Sequence, residues 1–254
     1  MHPADMVFFW AHANPERLAL IQPGMAVTYR TLALAIESVS TRIDELGLAK
    51  EEPFAVAVHH PFYQLAVCFA LLRRGYVCGP ISRSALPFLQ ANGINNLIYA
   101  VEGLVLAGGR NIRFEPTWLG RKAADGIDAD VTPPSRAADT AMIFFTSGTT
   151  GIPKKVVLPS GIFVERGSLM PMVGESNFNR LLVIPGLNAS FGFLRTAMIL
   201  YAGRTACFAS SLDEQLHMIN LFRIEAIVAS PQQALALVEA IEKGARYQFN
   251  SLKE

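Results

Sequence analysis

A glycine- and hydroxyl-rich stretch, FFTSGTTGIPKKVV at residues 144–157, holds the residues best suited to chemistry. From Thr146 to Ile152 there are three threonines, one serine and two glycines, and Lys154 follows Pro153. Glycines allow the backbone to approach a ligand closely. Successive N–H groups in such turns form an anion-binding concavity, and hydroxyls donate to phosphate oxygens. A lysine ~4 Å from a phosphate contributes on the order of 4 kcal/mol before desolvation at an effective dielectric of about 20. The stretch therefore predicts a polyphosphate-binding loop.

The stretch does not follow the Walker A pattern, which has four residues between its first glycine and Gly-Lys, because its spacing is Gly148-x-x-Gly151-x-x-Lys154. Two other interpretations are a flexible surface turn and a nucleophilic serine. A flexible surface turn would have a similar composition. Ser147 lacks the Gly-x-Ser-x-Gly elbow of a nucleophile, so phosphate binding explains it better than covalent catalysis.

Alternating hydrophobic patterns predict the elements that position this loop. The predicted strands are 18–22, 26–28, 54–58, 76–78, 96–100, 111–114, 140–145, 156–158, 181–184, 205–208 and 226–229. The predicted helices are 4–13, 29–46, 61–74, 86–92, 159–170, 192–201, 212–223 and 232–243. Strands that alternate with helices of this length indicate βαβ units and mainly parallel sheets.

The fold class expected from this order is α/β, with two layered subdomains whose sheets are flanked by helices. Residues 1–107 are expected to form the first subdomain and 139–254 a partial second one that carries the loop at 146–154. Residues 108–138, which contain glycine, proline and scattered charge, are interpreted as a linker between them.

Composition excludes several classes of protein. The net charge of the 254-residue chain is +1 and no basic block exceeds two residues, so a nucleic-acid partner is not expected. The N-terminus lacks the pattern of a signal peptide, and no run of about 18 apolar residues predicts a membrane span. A cytoplasmic location is therefore expected.

Metal sites are not predicted. His59-His60 follows a strand with no third ligand nearby, and a loop at the start of a helix explains both residues. Asp125, Asp128 and Asp130 lack the downstream glutamate of a calcium loop. The three cysteines have no metal-type spacing and lie in apolar runs, so reduced thiols in a core are expected.

Residues 146–154, Thr-Ser-Gly-Thr-Thr-Gly-x-Pro-Lys, resemble the phosphate-binding loop of the adenylate-forming superfamily. That superfamily includes acyl-CoA synthetases, adenylation domains of peptide synthetases and luciferase-like enzymes. Four further stretches resemble it: NPERLAL (14–20) with VTY (27–29), AVCFALLRRGYVCGP (66–80), LLVIPGLNASFG (181–192) and the strand with its proline turn at 224–231.

The resemblance implies an AMP-forming acid–thiol ligase that uses ATP and Mg²⁺ to convert a carboxylic acid into an acyl-adenylate. Coenzyme A or a carrier protein would then accept the acyl group. The implied phosphate contacts are Thr146, Ser147, Gly148, Thr149, Thr150, Gly151 and Lys154, with Lys154 stabilising charge during catalysis. The implied substrate contacts are Asn188, Ser190, Phe191 and Gly192.

The chain also departs from the family pattern. Lys155 stands where a glycine usually follows the loop lysine, and Asn188 or Ala189 stands where a histidine is common. The family's later motifs are absent, so the chain is expected to be an N-terminal fragment, incomplete for catalysis alone. The alternatives are a non-catalytic module that binds a nucleotide or a partner, and one half of a split ligase completed by a complementary chain.

Overall fold

The computed structural model describes residues 3–120, 141–146, 153–159, 161–162, 165–166, 178–242 and 251–252. The chain forms the α-helices α1 Pro3–Ala13, α2 Tyr29–Glu45, α3 Pro61–Arg73, α4 Ser190–Tyr201, α5 Leu212–Leu221 and α6 Pro231–Glu242. The strands are β1 Leu18–Gln22, β2 Met25–Thr28, β3 Phe54–Ala57, β4 Cys78–Pro80, β5 Asn96–Tyr99, β6 Arg110–Arg113, β7 Ala141–Thr146, β8 Lys154–Pro159, β9 Arg180–Val183, β10 Thr205–Cys207 and β11 Ala226–Val228. Short 3-10 helices occupy Arg83–Phe88, Gln90–Asn92 and Pro116–Gly120.

The strands form two mainly parallel sheets. The five-stranded sheet has the order β11-β9-β10-β1-β2, and the six-stranded sheet has the order β6-β5-β3-β4-β7-β8. Within the described residues, the antiparallel pairs are β1 with β2 and β7 with β8. The predicted α/β class with helix-flanked, mainly parallel sheets is confirmed.

The two sheets enclose a layer of helices, and this layering follows from the alternation of side chains along each strand. Leu181 and Val183 of β9 point into the main core, which also contains residues of helices α1 to α4 and of the six-stranded sheet. Leu182 points to the opposite face, where α5 and α6 pack. Likewise, Ile143 of β7 faces the 3-10 helices on the outer side of the six-stranded sheet.

Helix α2 shows how local sequence signals fix an element. The side chain of Thr28 accepts a hydrogen bond from the backbone N–H of Thr31, at 3.1 Å, and so caps the first turn. Leu32, Ile36 and Val39, which belong to the apolar stripe of α2, are fully buried. Gly47 follows with φ 55°, a left-handed conformation that favours glycine after a helix end.

Two local predictions need correction. The sequence predicts one short helix at 86–92, but the chain forms 3-10 helices at Arg83–Phe88 and Gln90–Asn92, since Pro87 lacks the N–H of a continuous α-helix. The strand predicted at 76–78 is Cys78–Pro80, where Gly79 lets β4 pack against the backbone of Ile143 in β7.

The division of the chain at residues 108–138 stays a prediction, and the sheets do not follow it. Strands β1 and β2 pair with β9 to β11 in one sheet, whereas β7 and β8 join β3 to β6 in the other. Part of the expected linker is also regular, because β6 and the 3-10 helix Pro116–Gly120 lie within it. Each sheet thus takes strands from both sides of the predicted boundary.

Candidate active site

The predicted phosphate loop connects two paired strands. Thr146, the last residue of β7, lies opposite Lys154, the first residue of β8. The Thr146 hydroxyl donates to the backbone carbonyl of Lys154 at 3.5 Å. Ser147, Gly148, Thr149, Thr150 and Gly151 lie outside the described residues. Of the predicted phosphate contacts, the structure therefore places Thr146 and Lys154 together, both exposed, at the open end of a hairpin stem.

Lys154 and Lys155 project to opposite faces of the six-stranded sheet. Lys154 pairs with Thr146, which shares a sheet face with the buried Phe144 of the main core. Lys155 pairs with Phe145, on the face toward the 3-10 helices, and its Nζ donates to the carbonyl of Asn92 at 2.7 Å. The extra lysine therefore lies on the face opposite to that of Lys154.

The segment that carries the predicted substrate contacts begins on the same inner face. Phe144 of β7 packs against Phe193 of α4, with ring centroids 5.9 Å apart. Ser190 is the first residue of α4, and the buried Gly192 lies in its first turn. The fold therefore brings the stem of the loop and the start of α4 into one neighbourhood, although 46 positions separate Phe144 from Ser190 in sequence.

The four predicted substrate contacts have different environments. Asn188 lines a cavity, and Gly192 packs against the Pro185-Gly186 backbone, where a Cβ would overlap carbonyl oxygens. The ring of Phe191 is 45% exposed and lies 5.7 Å from the Arg195 guanidinium carbon. The structure thus places Asn188 on a cavity wall and packs Gly192 against the backbone, and the four substrate contacts stay a prediction.

A cavity of about 560 Å³ opens beside Asn188, where strands of both sheets end. Its walls come from residues that follow the carboxyl ends of β1, β3, β4, β9 and β10. Crevices at the carboxyl ends of parallel strands are the usual ligand sites of α/β proteins. The volume lies in the range of ~300–1,000 Å³ typical of small-molecule pockets.

Apolar and polar side chains both line the cavity. The apolar ones include Ile184, Leu187 and Phe208. The polar residues that line the cavity are Gln22, His59, His60, Gln64, Ser82, Arg83, Asn188, Ser210 and Glu214. Such a surface suits a ligand with an apolar body and several hydrogen-bonding groups.

His60 and Gln22 join the two sheets across this cavity. Gln22 ends β1 of the five-stranded sheet, and its Nε2 lies 2.6 Å from Nε2 of His60, which follows β3 of the six-stranded sheet. The side-chain amide of Gln22 and the His60 ring are within hydrogen-bond distance, and the tautomer of the imidazole sets which of the two donates. The ring stacks on Tyr63 at 4.2 Å, and burial lowers the pKa of His60. Burial thus favours the neutral form of the imidazole.

Glu214 closes the cavity near the start of α5. Its carboxylate accepts hydrogen bonds from the N–H and hydroxyl of Ser210, at 2.8 and 2.9 Å, and from the N–H of Ser211. These bonds, chiefly those from Ser210, lower the pKa of Glu214. The first turn of α5 thus already holds an anion of the chain itself, and Arg83 is an exposed cation on the cavity wall.

Sequence reasoning missed most of this cavity. It explained His60 as part of a loop before a helix, which is confirmed because His60 immediately precedes α3. It did not anticipate that Gln22, Gln64 and Arg83 line the same space. Their positions at strand ends or in the helix turn that follows a strand could have indicated a site. Residues as distant in sequence as Gln22 and Ser210, however, come together only through the strand order of the sheet.

Among the described residues, no group of three or more histidine, cysteine, aspartate or glutamate side chains is arranged to hold a metal ion. All three cysteines, Cys68, Cys78 and Cys207, are buried free thiols, and burial raises the pKa of Cys207 to about 12. In the ranges that the structure describes, no helix is both long and apolar enough to cross a bilayer.

Solved structures share this fold. The N-terminal domain of FACL13 from Mycobacterium tuberculosis matches 99% of the chain, with a TM-score of 0.81 and 18% identity, over 68% of its own length. o-Succinylbenzoate CoA synthetase from Bacillus subtilis, bound to the acyl-adenylate OSB-AMP, matches 98% of the chain, with a TM-score of 0.79 and 19% identity, over 66% of its length. The fold is therefore that of the large domain of adenylate-forming enzymes.

Sequence comparisons give the family. The family described as AMP-binding enzyme matches residues 7–254. The 4-chlorobenzoate–CoA ligase of Arthrobacter is 29% identical over 94% of the chain and 49% of its own length. The D-alanine–D-alanyl carrier protein ligase of Streptococcus pneumoniae is 32% identical over 60% of the chain and 31% of its length. The chain belongs to the AMP-binding enzyme family. It spans about half the length of the first of these two relatives and about a third of the second.

Proposed function

We propose that the protein takes part in the AMP-forming activation of a carboxylic acid, and that the β7–β8 hairpin binds the phosphates of ATP. The observation that carries this proposal is the pairing of Thr146 with Lys154 at the open end of the hairpin. A hydroxyl and an ammonium group are thereby held side by side at the ends of a glycine-rich connection. Membership of the AMP-binding enzyme family supports the same role.

The proposed reaction exchanges one phosphorus–oxygen bond for another. A carboxylate oxygen attacks the α-phosphorus of ATP, the bond to the bridging oxygen breaks, and pyrophosphate leaves with both bonding electrons. Lys154 would lower the energy of the transition state by offsetting negative charge on the departing phosphates. The Thr146 hydroxyl would help to orient the chain of phosphates for in-line attack.

Mg²⁺ would neutralise phosphate charge in this reaction, because it binds proteins largely through substrate phosphates and few side chains. The Thr146 hydroxyl would supply an oxygen near this ion, and Lys154 would offset the phosphate charge that the ion leaves.

The cavity beside Asn188 is proposed as the space for the acid or for the thiol that accepts its acyl group. Its apolar residues would exclude water, and its polar residues, which include the charged Arg83 and Glu214, would orient hydrogen-bonding groups of the ligand. Coenzyme A and a carrier protein are the proposed acceptors, because relatives act with each of them. The three free cysteines support the proposed cytoplasmic location, where thiols stay reduced.

Titration of the chain with Mg·ATP by isothermal calorimetry tests the nucleotide site. We expect Lys154→Met to weaken binding by at least about tenfold, because the phosphates lose a full countercharge. Lys50→Met is the matched control, since it removes the same charge from an exposed position outside the hairpin. Equal affinities of wild-type and Lys154→Met chains would contradict the assignment.

Exchange of labelled pyrophosphate into ATP, measured with a panel of carboxylic acids, tests the chemical step separately. Acid-dependent exchange would support activation of a carboxylate by this chain. ATP binding without exchange, with or without added candidate complementary chains, would instead favour a non-catalytic nucleotide-binding module.

A further inference from the structure

The ammonium group of Lys155 holds the hairpin stem to a neighbouring element. Its Nζ donates to the backbone carbonyl of Asn92 at 2.7 Å. Asn92 ends the 3-10 helix Gln90–Asn92, and Gly93 follows in the left-handed region with φ 73°. Carbonyl groups at the end of a helix lack helical partners and carry partial negative charge. A lysine ammonium is therefore well matched to this acceptor.

The acceptor is itself fixed to the body of the six-stranded sheet. The Asn92 side-chain amide donates to the carbonyl of Phe88 at 2.8 Å. Gln90 donates to the carbonyl of Ala107 at 2.7 Å, close to the start of β6. Leu89 is fully buried in the outer core of this sheet. A bond from Lys155 to Asn92 thus ties β8 to a rigid part of the fold.

Strand β8 has few other contacts that hold it in place. It lies at the edge of the six-stranded sheet, where β7 is its neighbour. Most of its side chains are exposed or partly exposed, so little apolar burial holds it in place. Edge strands with few buried contacts open most readily in local fluctuations. Opening of β8 would displace Lys154, the first residue of the strand.

We propose that Lys155 is a positioning residue for the phosphate site and acts through β8 on Lys154. This inference rests on the proposed function. The two adjacent lysines have different roles in this proposal. Lys154 binds the phosphates on the inner face of the sheet, and Lys155 holds β8 in place through its hydrogen bond to Asn92 on the outer face. Fastening the strand before ATP arrives lowers the entropic cost of ordering Lys154 on binding.

Hydrogen exchange of the chain without ligand, read by mass spectrometry or NMR at β7 and β8, tests the fastening. In Lys155→Met we expect the hairpin amides to exchange about fivefold faster, because one hydrogen bond of ordinary net strength is lost. Lys155→Arg, which keeps the donor and the charge, should restore slow exchange. Lys154→Met is the matched control and should exchange like the wild type, since this exposed side chain lies on the strand face opposite to the contact with Asn92.

Mg·ATP titrations of the same chains test the effect on the phosphate site. Lys155→Met should weaken binding by about three- to tenfold and Lys155→Arg should recover it, while the urea midpoint of the whole chain falls only by the small amount that one hydrogen bond contributes. Weaker binding with unchanged exchange would reduce Lys155 to a long-range charge effect and overturn the proposal. Faster exchange with unchanged affinity would overturn it too, because the stem would not control Lys154.

Failure of the proposed function gives a different pattern. If neither the wild type nor any variant binds Mg·ATP, the phosphate assignment itself fails, and the positioning role fails with it. The exchange data would still report whether Lys155 fastens the hairpin for some other purpose. A drop in the urea midpoint of Lys155→Met as large as that of a core substitution would mark a general structural role and contradict the specific one.

Discussion

Gly192 shows how one residue in the candidate site is fixed by its neighbours. A Cβ at this position would overlap the carbonyl oxygen of Pro185 and would lie 2.5 Å from that of Gly186. We expect Gly192→Ala to cost about 1–3 kcal/mol of unfolding free energy, as overpacking against backbone does. Urea denaturation measures this cost, and Gly120→Ala, which meets nothing within 4 Å, is the control. Equal losses in the two variants would show that helix α4 can move away at no cost.

His60 should make the stability of the chain depend on pH. Burial lowers the pKa of His60 in the folded state, so the unfolded chain binds a proton more readily. This residue therefore favours unfolding as pH falls below the ordinary histidine pKa of about 6.5. Between about pH 7.5 and about pH 5.5, the urea midpoint of the wild type should fall more than that of His60→Asn. Parallel curves for the two chains would exclude His60 as the source of the acid sensitivity.

Helices α1, α2 and α3 are linked by a charge network inside the helical layer. Arg73 of α3 has its Nε 3.8 Å from Asp5 of α1 and its Nη1 3.8 Å from Glu37 of α2. Its guanidinium carbon lies 3.8 Å above the Phe8 ring centroid. The Arg73 and Asp5 side chains are 9% and 1% exposed, and burial lowers the pKa of Arg73 against the opposing effect of both carboxylates.

Removal of Arg73 should therefore be costly. We expect Arg73→Met to lower the unfolding free energy by about 3–5 kcal/mol, because it leaves the Asp5 carboxylate buried beside an apolar group. The double variant Asp5→Leu, Arg73→Met should recover part of this loss, since no buried charge remains. A double-mutant cycle by urea denaturation gives the coupling directly. Strictly additive losses would mean that the two side chains do not interact across the helices.

Elements with strong local signals are predicted well from sequence. The apolar stripe and the glycine stop place α2 at 29–46, and Pro61 opens α3 as expected. Short strands are predicted less closely. β4 has three residues and begins two positions after the predicted start, because its pairing with β3 and β7 is set by distant chain segments. Periodicity over three residues carries too little information to fix such a register.

The candidate site also has one part that local sequence indicates and one part that it does not. The proposal that the β7–β8 hairpin binds phosphates can be made from the sequence, because residues 146–154 form one continuous segment whose chemistry is local. The cavity cannot be predicted in this way, because Gln22, His60 and Phe208 meet there only once both sheets are assembled. The contact between Lys155 and Asn92 likewise joins residues 63 positions apart, and no pattern near either residue indicates it.

At the scale of the whole molecule, the interleaved sheets should make unfolding cooperative. The two tryptophans report on different places: Trp10 donates to the carbonyl of Tyr201 beside the five-stranded sheet, and Trp118 packs on Phe114 after β6 of the six-stranded sheet. Because β1 pairs with β10 and β4 pairs with β7 across the predicted boundary at 108–138, each sheet takes strands from both sides of it. In Trp118→Phe and Trp10→Phe, urea transitions by fluorescence should each coincide with far-UV circular dichroism of the same variant, as two-state unfolding requires. A fluorescence transition of either tryptophan that is separated from the dichroism transition of the same variant would contradict cooperative unfolding of the interleaved sheets.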